Sequence, residues 1–170
     1  LDGNKILESA PELERIFAVG QFEMYQGGMK LIEIINDTAR FYPGFDKKYV
    51  VKLAEKFEID LKSRYGNLST GYTIFKDILA LCVPCEYIFF DEPVLGMDAS
   101  NRNLFYRELI DSYAKRPRTF VISTHLIEEI QNLIENVVIV ADHRIILDDS
   151  VENILSKAHF VSGTKDDAGK

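Results

Sequence analysis

Apolar runs such as Tyr87 to Phe90 and Val137 to Ala141 are only strand-sized. None approaches the ~20 residues that a helix needs to cross a bilayer, so no helical span is expected within the chain. The basic, apolar and small-residue pattern of a signal peptide is missing too. Basic residues are few and scattered, 20 against 27 acidic ones, for a formal net charge of -7. A duplex-binding protein needs a basic patch or stripe, so nucleic acid is not expected as a direct partner. Internal repeats and low-complexity tracts are absent. Cysteine is scarce: Cys82 and Cys85 form a lone CxxC. A redox pair would sit at a helix start, where the dipole lowers the thiol pKa. A zinc site would need two more ligands at matching spacing, and the three histidines lie far off. Cys82 instead ends an apolar stretch and Cys85 precedes a strand, so both read as core packing. So little cysteine suits a reducing cytoplasm.

What remains is a chain of 170 residues, 46% hydrophobic and 28% charged. That is enough for one domain with a real core, and too apolar for disorder over most of its length. Residues 1–170 read as a single domain whose end, Ser162 to Lys170, is a polar tail. Arg15 to Val19 reads as a strand stopped by Gly20. Met29 to Arg40 has helical spacing at Leu31, Ile34, Ile35, Thr38 and Ala39. Pro43 and Gly44 break that helix. Asp46 then caps a second, through Val50, Val51, Ala54 and Phe57. These two helices form a small helical lobe. After Gly71 comes an apolar helix to about Cys82, and Pro84 stops it. Glu86 to Phe90 is a compact buried strand. Asn101 to Ala114 is an amphipathic helix with Leu104, Phe105, Leu109 and Ile110 inward. Arg118 to Ser123 is a strand and Leu126 to Ile134 a helix. Val137 to Val140 and Arg144 to Leu147 are strands joined through Asp142-His143, and Val151 to Leu155 is a last short helix. Strands alternating with long helices predict an α/β fold with a mainly parallel sheet. Ligands gather at the carboxyl ends of such strands.

Three groups of residues fall at such places. Asp91 and Glu92 directly follow the strand Tyr87 to Phe90. One carboxylate there can hold Mg²⁺ through its waters, and the next can orient or deprotonate an attacking water. The plainer alternative is a helix cap with an exposed neighbour. His125, in Ser123-Thr124-His125, ends a second strand and either hydrogen-bonds a terminal phosphate or is structural. Leu68-Ser69-Thr70-Gly71-Tyr72 precedes a helix. Ser69 caps it, with the free N–H groups either binding an anion or capped without a ligand.

Taken in order, these pieces resemble the ATP-binding subunits of ABC transporters, over about residues 1 to 156. Leu68 to Tyr72 resembles the family's signature motif. Tyr87 to Glu92 resembles the Walker B strand with its catalytic glutamate, and Pro93 to Asp98 the D-loop. Ser123-Thr124-His125 resembles the switch histidine segment, and Val19-Gly20-Gln21 the Q-loop. The resemblance implies a P-loop NTPase-like α/β fold whose N-terminal strands are missing, with an inserted helical lobe at about residues 22–61. It implies ATP and Mg²⁺ as ligands. Asp91 and Gln21 would hold Mg²⁺, Glu92 would polarise the attacking water, and His125 and Gln21 would sense the terminal phosphate. Ser69 and Gly71 would contact ATP bound on the opposite subunit, and Asp98 would lie at that dimer interface. The implied partners are a second ATPase subunit and a transmembrane permease subunit, on the inner face of the cell membrane.

Two departures stand against this pattern. The signature usually carries a second glycine and a glutamine, where this chain has Thr70 and Tyr72. No GxxxxGK[ST] is present either. That loop cradles the phosphates with backbone N–H groups and a lysine. Gly163-Thr164-Lys165 is no substitute, because no strand precedes it. In the family the loop lies upstream of the segment that begins here with Leu1, so the chain is expected to start after it and to be inactive alone. Two other readings compete. One is a non-hydrolysing half-subunit lending Ser69 and Gly71 to an intact partner. The other is a soluble ABC-like ATPase of chromosome maintenance or translation.

Overall fold

The computed structural model describes residues 1, 3, 5, 6, 9–69 and 71–157. The expected polar tail, with Gly163 to Lys165, and Thr70 of the signature-like segment lie outside them. The chain forms two compact units, Leu1–His125 and Leu126–Lys170.

The first unit opens with helix α1 (Ala10–Glu14), which carries proline in its first turn, where the missing N–H costs nothing. Strand β1 (Ile16–Val19) follows. Helices α2 (Leu31–Phe41) and α3 (Lys47–Lys56) and a 3₁₀ turn (Tyr65–Asn67) lead to helix α4 (Gly71–Cys82). Strand β2 (Tyr87–Asp91), helix α5 (Ala99–Lys115) and strand β3 (Thr119–Ser123) complete the unit. The three strands form a parallel sheet in the order β1-β2-β3. This is the α/β arrangement of parallel strands and helices expected from the alternation.

Register explains which face became the core. Phe17 lies beside Ile88 and Ile88 beside Phe120; Val19 lies beside Phe90 and Phe90 beside Ile122. Phe17, Val19, Ile88 and Phe90 are all buried. Phe105 of α5 meets Phe90 edge to face, with ring centroids 5.5 Å apart, a favoured aromatic geometry. Helix α4 adds a nearly continuous buried run from Ile74 to Cys82. The other sheet face is covered less: Tyr87 and Phe89 are half-buried, Ala18 is exposed, and Val121 is 42% exposed. Strand β2 is therefore buried on one face, not on both as its composition suggests.

The helical segment follows its apolar spacing. Leu31, Ile34, Ile35 and Thr38 of α2 are buried, and the Asp46 carboxylate accepts from the Tyr49 amide at 2.9 Å to cap α3. In α3 the buried set is Val50, Leu53 and Ala54, while Val51 points outward. Helix α5 differs more from its expected face. Ile110 is exposed, and Glu108 and Ser112 are buried beside Phe105, Tyr106 and Leu109. Glu108 is tolerated there because the Lys56 ammonium pairs with it and the Tyr49 hydroxyl donates to it at 3.2 Å. Cys82 and Cys85 are buried, free thiols, as the core-packing reading requires. Burial pushes both thiols up, Cys85 to about 11.

In the second unit, helix α6 spans only Ile127–Ile130, not the full stretch to Ile134. The Leu133 amide turns back to the Ile130 carbonyl, so the chain tightens and leaves the helix there. Strands β4 (Asn136–Ala141) and β5 (Arg144–Ser150) form a separate antiparallel hairpin. Asp142 and His143 both have positive φ, the two-residue turn that matches strand twist. Helix α7 (Val151–Lys157) follows. No described helix is long and apolar enough to cross a membrane.

Candidate functional site

Parallel pairing carries β2 and β3 to the same edge, where Asp91 lies beside Ser123. The Ser123 hydroxyl donates to Asp91 Oδ1 at 2.5 Å. The chain then turns sharply: Glu92 takes a left-handed φ of 48°, a conformation costly for a residue with a Cβ. Its amide donates to the Ser123 carbonyl at 2.9 Å. Its carboxylate is held at three points, by the Thr124 hydroxyl at 3.0 Å, the His125 amide at 3.0 Å and the His125 ring Nδ1 at 2.8 Å. Burial works against the charge on Glu92, but these hydrogen bonds outweigh it and hold the carboxyl below its ordinary range. The Glu92 carboxylate thus reaches across to the neighbouring strand end.

A cavity of about 200 Å³ opens beside this pair. Gln21, Asp91 and Glu92 line it together with Gly20, Lys76 and Asp77. The segment Val19-Gly20-Gln21 thus meets the two carboxylates, as the order of motifs suggested. After Glu92 the chain makes two tight turns, Leu95 amide to Glu92 carbonyl and Met97 amide to Val94 carbonyl. Gly96, inside the second turn, takes a φ of 80°, where a side chain would be strained. Asp98 ends the loop as the N-cap of α5 and accepts from the Asn101 amide at 2.9 Å.

The signature-like segment is placed only in part. Helix α4 begins at Gly71, and Ser69 lies two residues ahead of it and is exposed. Lys76 and Asp77 were missed by the motif reading. They are a charged pair inside the otherwise apolar run Ile74 to Val83, and that interruption was the available signal.

The donor set suits magnesium in kind. Asp91, Gln21 and Ser123 offer only hard oxygen ligands. Among the described residues no three His, Cys, Asp or Glu side chains converge as a cage. An ion here would therefore keep several waters, as Mg²⁺ prefers.

The fold matches a solved structure of the ATP-binding subunit of an ABC transporter, with a TM-score of 0.71 at 18% identity. The match covers 87% of this chain and 65% of that one. The chain is also related in sequence to ABC transporter ATP-binding proteins. It is 28% identical over 112 residues to the Bacillus subtilis ABC transporter ATP-binding protein YtrB, covering 65% of this chain. It is 32% identical over 95 residues to NatA of the same organism, covering 55% of this chain. In both cases the match takes in 38% of the relative's own length. No protein-family model matches the chain.

Proposed function

We propose that the chain is the water-activating part of an ABC transporter ATP-binding subunit. The observation that supports this most is the grip of Thr124 and His125 on Glu92 at the edge where β2 and β3 end. Held ionised, Glu92 accepts a hydrogen bond from a water and draws its proton away as that water attacks the terminal phosphate of ATP. His125 keeps Glu92 in place and offers its exposed ring to the phosphate. Asp91 and the Gln21 amide oxygen would hold Mg²⁺, which would neutralise charge developing on the phosphates. Ser69 and the start of α4 meet ATP on a second ATPase subunit, and Asp98 lies at that interface. A transmembrane permease subunit receives the motion through the helical segment of residues 22–61. The assembly sits on the inner face of the cell membrane.

A polypeptide of this sequence carries no lysine-bearing phosphate loop. Loss of one preorganised charge-stabilising group costs ~10²–10³ in rate, and loss of the whole cradle removes binding as well. The chain alone is therefore expected to bind Mg-ATP too weakly to measure. Titration calorimetry of the 170-residue chain with ATP and Mg²⁺ checks this. Saturable micromolar binding would mean that another loop holds the phosphates.

A further inference from the structure

Lys76 is 1% exposed, yet its ammonium reaches out of α4 to the loop that follows β1. It donates to the Gly20 carbonyl, and to the Phe22 carbonyl at 3.4 Å. These two carbonyls flank Gln21 in sequence. The ammonium also lies 5.2 Å from the centre of the Tyr72 ring. Burial lowers the pKa of Lys76, and Asp77 beside it opposes the shift. A buried ammonium is expensive, and an apolar side chain would suit the run Ile74 to Val83 better for packing alone. What the ammonium does that an apolar group cannot is clamp the backbone on both sides of one loop residue.

We propose that Lys76 is a positioning residue that ties the Gln21 loop to helix α4. The inference rests on the reading of Gln21 as a ligand of Mg²⁺ and phosphate. Holding the carbonyls before and after Gln21 limits the backbone rotation that would redirect its side chain. Lys76 lies about 7.5 Å along the helix axis from Gly71, at 1.5 Å per residue. A displacement of the α4 start, where Ser69 and Gly71 lie, is therefore passed to Gln21 through a rigid stretch of helix. The tie makes the segment offered to a second subunit and the loop facing this chain's own carboxylates move as one body.

The test is backbone ¹⁵N relaxation on the 170-residue chain without nucleotide. Lys76→Met should lower the order parameters of residues 20–24 from the rigid range, ~0.85, to below ~0.6. Order parameters in β2 and α5 should stay unchanged, and Lys76→Arg should restore those of the loop. If Lys76→Met alone fails to fold, the double variant Lys76→Met/Asp77→Asn removes both buried charges and is measured instead. Unchanged order parameters around Gln21 would overturn the proposal. So would a loss of order spread evenly over the whole unit, because that is what a purely structural lysine gives. The measurement uses no ATP, so its failure is separate from a failure of the nucleotide reading.

Discussion

Both carboxylate oxygens of Asp77 are buried and have no hydrogen-bond partner. Burial raises its pKa well above the ordinary carboxyl value, and the Lys76 charge offsets this only in part. A carboxyl with a raised folded pKa takes up a proton on folding, so the wild-type chain loses stability as pH climbs from about 4 toward that raised value. Asp77→Ala removes the loss. The variant should be about 1–2 kcal/mol more stable at neutral pH, from the cost of an unsatisfied buried polar group. That is a few degrees in Tm for a chain of this size. The advantage should shrink toward about pH 3, below the ordinary Asp pKa, where Asp77 is mostly neutral in both states. Thermal melts at about pH 3 and pH 7 check both the size and the trend.

Caps and packing faces decide the elements. Asp46 accepts from the Tyr49 amide at the start of α3. Asp46→Ala should cost about 1 kcal/mol, the usual value for losing an N-cap side chain, as read from urea unfolding. That cap was legible in the sequence, as were the ends of α4, where Gly71 opens the helix and Pro84 follows its close. Strand β2 was legible too, as a short apolar run ending in two carboxylates. Less legible was α5. Periodicity favoured Ile110 as an inward residue, but the buried position went to Glu108, because Lys56 and Tyr49 come from a distant helix to satisfy it. No local pattern announces a partner 52 residues away. Helix α6 was overestimated for the opposite reason. Leu126 to Ile134 carries helical spacing, yet the backbone tightens after Ile130.

At the scale of the whole molecule, the three parallel strands collect residues that lie more than 100 positions apart, from Gln21 to His125, at one edge. Motif order alone suggested that gathering. The details that make it chemical were not in the motifs. The left-handed backbone at Glu92 and its three donors from one neighbouring strand end arise only from the parallel register of β2 and β3. The central claim is that Glu92, so held, activates water for ATP hydrolysis once a phosphate cradle is present. The direct measurement is Mg-ATPase turnover of a chimera that joins the phosphate-loop segment of a relative such as YtrB ahead of Leu1. ATP binding is confirmed first by titration, and turnover is then compared with and without Glu92→Gln. The account predicts turnover that falls ~10²–10⁴-fold in the variant, the range for losing a general base. A chimera that binds Mg-ATP and hydrolyses it equally fast after Glu92→Gln would contradict the account.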